Sequence, residues 1–254
     1  MLPGLQAWRC YHKMGIQPDT LHAILENGEI ELKGQFTRGF NYTFLVNVRF
    51  EGSEILAVYK PGRGEQPLWD FPENTLAGRE VCAYLVSQSL GFGMVPYTVL
   101  RDGPLGPGSL QQYIDHNPTH HYFNFKPAEI ERLRPVVLFD LLVNNADRKG
   151  SHILVEKRTR KLYLIDHGLC FHAEEKLRTV VWDFAGEPIP PDLLSALSNF
   201  QTARSNSGDL SADLGPYLNP EELAALQARA EALLAAGQFP LPPEDRRAFP
   251  YPPI

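Results

Sequence analysis

The stretch VNNADRKGSHILVEKRTRKLYLIDHG, residues 143–168, constrains the structure of this chain more than any other part of the sequence. Two short apolar runs, Ile153–Val155 and Leu162–Ile165, flank a basic turn, which is typical of a β-hairpin. A hairpin would bring the polar loop before its first strand next to the polar loop after its second strand. These loops carry Asp147, His152 and Asp166. Gathered in one place, such side chains could hold a divalent metal on a nucleotide and activate an acceptor hydroxyl.

The size and composition of the chain indicate a globular protein of acidic character. Its 254 residues suffice for one large domain or two small lobes, and 43% of them are hydrophobic. The formal net charge of −6 argues against a general basic surface for nucleic acid. We therefore expect no nucleic-acid partner.

Cysteine spacing and apolar runs bear on the location of the protein. Cys10, Cys82 and Cys170 lie far apart and form no CxxC pair, so we expect neither a disulfide framework nor a cysteine-based zinc site. The longest apolar run, Pro135–Val143, contains Asp140 and is too short to span a bilayer. No signal-peptide pattern is present, so the sequence predicts a cytoplasmic protein without an integral membrane segment.

The two halves of the sequence differ in predicted secondary structure. The first half predicts five strands and one helix, which are Glu29–Leu32, Tyr42–Phe50, Glu54–Tyr59, Val95–Leu100, Ser109–Ile114 and the helix Thr75–Leu90. The second half predicts mainly helices, which are Pro127–Asn144, Pro191–Phe200 and Pro220–Ala236, followed by an extended proline-rich segment. We place the boundary between an N-lobe of residues 1–114 and a C-lobe of residues 115–254.

Three features of the first half could contact phosphates, although each also has an ordinary structural interpretation. Lys60 ends a strand, where it is either a solvated terminus or a fixed ammonium that holds phosphate oxygens. Glu80 lies in the next helix, either as a surface residue or as the carboxylate that orients Lys60. The loop Gly34–Asn41 is either a plain hairpin turn or a glycine-containing loop that folds over phosphates.

The polar residues around the hairpin also allow more than one interpretation. Asp147 either bonds to local backbone N–H groups or acts as a base that orients an acceptor hydroxyl. His152 is either a structural hydrogen-bonding group or a metal ligand. Asp166 follows a strand and precedes a turn, which suits a metal ligand that points into a cleft. Taken in chain order, these features match the layout of a bilobal phosphotransferase.

Five segments of the chain resemble the phosphatidylinositol 3-/4-kinase-like superfamily, most closely its type II phosphatidylinositol 4-kinase branch and a group of small bacterial proteins. The segments are AVYKP, GREVCAYLVSQSLG, VPYTVL, FDLLVNNADRKGSHILV and LIDHGLCF, within residues 29–185. The resemblance implies an α+β fold of the bilobal protein-kinase-like type. Its N-lobe would be an antiparallel sheet with one helix, and its C-lobe would be mainly helical with a catalytic β-hairpin. ATP is the implied substrate, and Mg²⁺, or alternatively Mn²⁺, is the implied metal.

The resemblance also implies a role for each candidate residue. Lys60 would be the lysine that holds the ATP phosphates and Glu80 its partner. Asp147 would be the catalytic aspartate, and Asp166 would bind the metal. The loop that covers the phosphates would contain Arg38, Gly39, Asn41 and Thr43, and the adenine-binding hinge would contain Gln111, Gln112 and Tyr113.

His152 departs from the pattern of the superfamily. Its members usually place Asn, a second metal ligand, five residues after the catalytic aspartate, where this chain has His152. Imidazole can bind Mg²⁺ or Mn²⁺, but it is softer than an amide oxygen and loses its lone pair when protonated. If His152 is a ligand, we predict an activity that falls between neutral pH and about pH 5.5.

Four functional hypotheses remain open from the sequence. The first is an ATP-dependent phosphotransferase whose acceptor is a hydroxyl of a protein or small molecule. The second is a phosphoinositide lipid kinase, although the chain has no cysteine-rich palmitoylated segment of the kind that type II lipid kinases use. The third is a nucleotide-binding pseudokinase that regulates a partner. The fourth is an unrelated metal-dependent hydrolase, which would leave Lys60 unexplained.

Overall fold

A computed structural model describes residues 17–36, 41–205 and 209–254 of the chain. In the first half the elements are α1 (Pro18–Asn27), β1 (Glu29–Gln35), β2 (Phe44–Phe50), β3 (Ser53–Pro61), α2 (Leu76–Ser89), β4 (Thr98–Gly103) and β5 (Gly106–Gln112). In the second half they are α3 (Pro127–Ile130), α4 (Arg134–Val143), β6 (Ile153–Val155), β7 (Leu162–Leu164), α5 (Pro191–Ser205), α6 (Asp209–Leu214) and α7 (Pro220–Ala236). The α+β class predicted from the sequence is confirmed.

An antiparallel sheet of five strands, in the order β1-β2-β3-β5-β4, forms the first half of the fold. Side chains alternate between its two faces, as the period of two in a strand requires. One face packs on α1, where Ile24 and Leu25 meet Val46, Val48 and Tyr59. Lys60 is next to Tyr59 in β3, so it lies on the opposite face, which is turned toward α2 and the second half.

A larger apolar core joins α2 to the second half. It combines buried side chains of α2, such as Val86, with those of α4, the β6–β7 hairpin, α5 and α7. A buried ion pair adds to this contact: the guanidinium of Arg79 in α2 meets the carboxylate of Glu222 in α7 and also donates to Cys170 O at 2.7 Å. The helix that carries Glu80 is thereby fixed to the C-terminal half.

The β6–β7 hairpin forms where the sequence predicted it. Ile153 pairs with Leu164 and Val155 with Leu162, in antiparallel register. Ile165 N also donates to His152 O at 3.1 Å, which continues the contact beyond the strands. The predicted approach of the two polar loops is therefore confirmed.

Some predicted boundaries were wrong. The single helix expected over Pro127–Asn144 divides into α3, a short 3₁₀ turn and α4. Pro135 lies at the start of α4 and has no N–H to continue the preceding helix. β5 begins at Gly106 and ends at Gln112, earlier than expected, and α5 runs on to Ser205. The boundary of the lobes near residue 115 remains a prediction.

Within residues 17–36, 41–205 and 209–254, no helix has both the length and the apolar composition to cross a bilayer.

Candidate active site

Lys60 lies between two carboxylates that come from different parts of the chain. Its ammonium pairs with Glu80 Oε1 of α2 and with Asp166 Oδ1, at 2.8 Å, in the loop after β7. Burial acts to lower the pKa of Lys60, but the charges of Asp166 and Glu80 outweigh it and raise the pKa above its usual value. Lys60 is therefore a fixed cation at the junction of the sheet and the hairpin, and its solvated-terminus interpretation is wrong.

Glu80 is almost fully buried, at 2% exposure, so the view of it as a surface residue of a helix is also wrong. Its second oxygen, Oε2, lies 3.7 Å from Nδ1 of the buried His167. The other ring nitrogen of His167 is 2.9 Å from Arg148 Nη2. Because a guanidinium only donates, this nitrogen accepts, and the proton of the neutral ring lies on Nδ1, facing Glu80. Burial lowers the pKa of His167, which keeps the ring neutral.

Arg148 is the buried centre that joins the two loops of the hairpin. It pairs with Asp140 of α4, with Nη2–Oδ1 and Nε–Oδ2 distances of 2.9 Å. It also donates to Ile165 O at 3.0 Å, directly before Asp166. This network, which sequence reasoning missed, sets the position of the loop after β7 relative to the loop before β6.

Asp166 and His152 meet at the open side of the site. Asp166 Oδ2 lies 3.3 Å from His152 Nε2, and the backbone of Asp166 adopts a left-handed conformation with φ of +63°. Asp accepts this region more readily than most residues. Although partial burial acts to raise it, the charge of Lys60 holds the pKa of Asp166 below its usual range. Its side chain is 48% exposed, so an ionised carboxylate oxygen can be reached from solvent.

His152 titrates lower than the sequence-based prediction assumed. Its ring is buried, and Nδ1 has no hydrogen-bond partner among the described residues. Burial lowers the pKa of His152 to about 4, although the charge of Asp166 opposes the shift. This pKa moves the expected loss of activity through His152 to a pH below 5.5, and the loss itself stays a prediction.

Asp147 is positioned by its own loop and flanked by cations. Its backbone N–H donates to Asn145 Oδ1 at 2.9 Å, and its Oδ2 lies 3.0 Å from Lys149 Nζ. Burial raises the pKa of Asp147 to about 6, and the charge of Asp166 adds to this effect. Lys149 and Arg178 lower the pKa and limit the rise. The Asp147 carboxylate can therefore gain or lose a proton at a pH of about 6.

We predict that replacing Lys149 with Met moves the acid limb of the activity profile. If Asp147 must be ionised, activity falls as pH drops through about 6. Removing the Lys149 cation takes away a charge that lowers the pKa, so the limb should move to higher pH by about one unit. ATP turnover measured from pH 5 to 8 gives this limb. Lys149→Arg keeps the charge and is the control. If activity in Lys149→Met falls at the same pH as in wild type, the ionisation of Asp147 does not set this part of the pH profile.

Most described candidate residues of the phosphate-covering loop and of the hinge bond to other groups of the protein. Asn41 Oδ1 accepts from Gln66 N at 2.8 Å, and Thr43 Oγ1 donates to Asn41 O at 3.4 Å. Gln111 is buried, its Nε2 donates to Thr98 Oγ1 at 2.8 Å, and its backbone lies in β5 between β3 and β4. Gln112 and Tyr113 donate their backbone N–H groups to Tyr97 O and Leu56 O. Arg38 and Gly39 lie outside the described residues.

Comparison with known proteins gives this site a context. The sequence profile of the family described as Phosphatidylinositol 3- and 4-kinase matches residues 96–208. Protein Rv2133c of Mycobacterium tuberculosis (strain ATCC 25618 / H37Rv) is 38% identical over 269 residues, which cover 92% of this chain and 95% of that protein. Phosphatidylinositol 4-kinase gamma 4 of Oryza sativa subsp. japonica is 29% identical over 135 residues, covering 45% of this chain and 24% of that kinase.

Among solved structures, the Golgi casein kinase with Mn/ADP bound superposes with a TM-score of 0.54. The two chains are 14% identical, and the match covers 87% of this chain and 76% of that one, so the likeness shows the fold alone. Fold and family profile together define a kinase-type phosphotransferase of bilobal architecture. Residues 96–208 thus match the phosphatidylinositol 3- and 4-kinase family, as the sequence predicted, and the chain belongs to the same family as Protein Rv2133c.

Proposed function

We propose that this protein transfers the γ-phosphoryl group of ATP to a hydroxyl of a protein or small molecule, with the help of a divalent metal. The observation that carries the proposal is the position of Lys60. It is held by Glu80 from α2 and by Asp166 from the loop after β7. A lysine fixed in this way suits the phosphates of a nucleotide bound between the sheet and the hairpin.

The donor set fits a metal that is bound together with a nucleotide. No group of three or more His, Cys, Asp or Glu side chains in the described part of the chain could hold a metal by itself. Asp166 Oδ2 and His152 Nε2 are 3.3 Å apart, close to the separation of about 3 Å between adjacent ligands of an octahedral ion with bonds of about 2.1 Å. Asp166 and His152 would hold the metal, with nucleotide phosphates and water as further ligands. A metal held there would neutralise charge on the phosphates.

Asp147 is the residue that would orient the acceptor hydroxyl. Its carboxylate is 25% exposed, and its pKa of about 6 lets it accept a hydrogen bond or a proton near neutral pH. Lys60, Asp147 and Asp166 are all retained and held in ordered positions by buried partners. This arrangement favours an active phosphotransferase over a pseudokinase.

Replacing Asp147 with Asn tests the proposal. We expect the rate of phosphate release from γ-labelled ATP, with water as acceptor, to fall by about 10² to 10⁴-fold. ATP affinity should change little, because Asp147 would contact the acceptor rather than the nucleotide. Asp192→Asn removes the same charge at an exposed position of α5 and is the control. A loss of ATP affinity as large as the loss in rate would show that the role of Asp147 is assigned wrongly.

A further inference from the structure

The proline-rich segment after α7 packs on residues 175–182, which pair with the loop that carries Asp147. Arg246 Nη1 donates to Leu177 O at 3.0 Å, and Arg246 Nη2 lies 3.1 Å from Glu175 Oε1. Ala248 O accepts from Thr179 N at 3.1 Å and from Trp182 Nε1 at 3.3 Å. Ala248 and Pro250 are both buried, so this part of the segment is firmly anchored.

The same segment reaches the loop between Asp147 and His152. Pro253 O accepts a hydrogen bond from Gly150 N at 2.8 Å. A side chain at Gly150 would collide with the ring of Phe123, since an added Cβ would lie 2.9 Å from it. A side chain here would require the Phe123 ring to move, and the N–H of the buried Gly150 is bonded by the segment.

The two amides that the segment occupies belong to the loop that carries Asp147 and to the residues paired with that loop. Residues 178–180 are themselves bonded to the loop, since Arg178 N donates to Asn145 O at 2.9 Å and Arg148 N donates to Arg178 O at 3.0 Å. Thr179 N and Gly150 N thus belong to two paired segments, and one of these segments carries Asp147. Backbone N–H groups of this kind are what an extended peptide uses when it adds to the edge of a fold.

We infer that residues 246–254 form a strap that occupies the place of an extended acceptor peptide and holds the acceptor side of the site closed. The inference rests on the proposed function, since it takes Asp147 as the residue that meets the acceptor. The hydrogen bonds and ion pairs of the strap reach none of Lys60, Glu80 and Asp166 within the described residues. The strap therefore acts on the acceptor and leaves the nucleotide side open.

Residues 251–254 of the strap can separate from the loop with a small cost in free energy. Residues 251–254 are all exposed, and Tyr251 and Ile254 are 78% and 55% accessible. One hydrogen bond, from Gly150 N to Pro253 O, holds this part to the loop. Segments with few buried contacts open locally with small free energies. Its prolines restrict the free chain, so little conformational entropy is lost when the strap closes again.

Removing residues 251–254 tests the strap while keeping its anchors at Ala248 and Pro250. We expect transfer from γ-labelled ATP to a mixed-sequence peptide pool containing Ser, Thr and Tyr to rise by about two- to tenfold, the range that one hydrogen bond supplies. Hydrogen exchange at the Gly150 amide should become faster. The shift in melting temperature caused by ATP should stay as in wild type. Ile254→Ala shortens an exposed side chain of the strap, keeps the Pro253 carbonyl and is the matched control.

The outcomes separate a failure of the strap from a failure of the proposed nucleotide function. Unchanged or slower peptide phosphorylation in the shortened protein, with the ATP-induced shift intact, would overturn the strap. Unchanged exchange at Gly150 would also overturn it, because the contact itself would then be wrong. Absence of any ATP-induced shift in every variant would instead be a failure of the proposed nucleotide function.

Discussion

Asp166→Asn should lose nearly all of the metal-dependent part of ATP binding. The substitution keeps the size of the side chain but removes the charge that faces Lys60 and His152. A hard divalent cation prefers a carboxylate to an amide, so the remaining donors would hold it weakly. In thermal unfolding with ATP, the extra stabilisation that Mg²⁺ or Mn²⁺ gives to wild type should therefore be lost in this variant.

The control for this experiment is again Asp192→Asn, which changes the net charge equally and lies in the first turn of α5. It should keep the metal-dependent shift. A wild-type shift and wild-type transfer in Asp166→Asn would remove Asp166 from the metal site and leave the proposed donor set without its carboxylate.

Glu222→Ala should lower the free energy of unfolding by about 3–5 kcal/mol. The Arg79 side chain has no exposed surface and that of Glu222 has 5%, so the substitution leaves a buried guanidinium unpaired. Glu222 Oε2 also accepts from Asn219 N at 3.0 Å at the start of α7, and this cap would be lost too. Because α2 carries both Arg79 and Glu80, we expect ATP turnover to fall as well.

Thermal or urea unfolding measures this loss. Glu221→Ala removes the same side chain from the neighbouring, exposed position of the same helical turn and is the matched control. The double variant Arg79→Met with Glu222→Leu removes both charges and should recover much of the stability. A Glu222→Ala protein no less stable than Glu221→Ala would show that the pair does not hold α2 in place.

The sequence predicted the catalytic hairpin because local signals were strong there. Two apolar β-forming runs bounded by polar loops specify a hairpin, and the hairpin alone brings Asp147 near Asp166. The helix of Glu80 was predicted to within a residue at each end, but not that Glu80 is buried. Burial of a charged side chain depends on partners distant in the chain, here Lys60 and His167, which no periodic pattern reveals.

The Arg148 network escaped prediction for the same reason, whereas the strap was expected as an extended segment on the C-lobe without its particular contacts. Arg148 directly follows Asp147 and looks like a loop residue, yet it is fully buried by Asp140, His167 and Ile165 O. For the strap, proline content indicated an extended segment. Its docking uses backbone groups of Gly150 and Thr179, and such groups leave no mark in a sequence.

The measurement that tests the central claim most directly is thermal unfolding of the wild-type protein with ATP, with and without Mg²⁺ or Mn²⁺. A ligand at about 100 times its dissociation constant stabilises the folded state by about 2.7 kcal/mol. For a chain of this length that is a rise in melting temperature of several degrees. We predict such a rise with ATP and either metal, and a smaller one with ATP alone. No rise under any of these conditions would contradict a nucleotide site at Lys60 and Asp166.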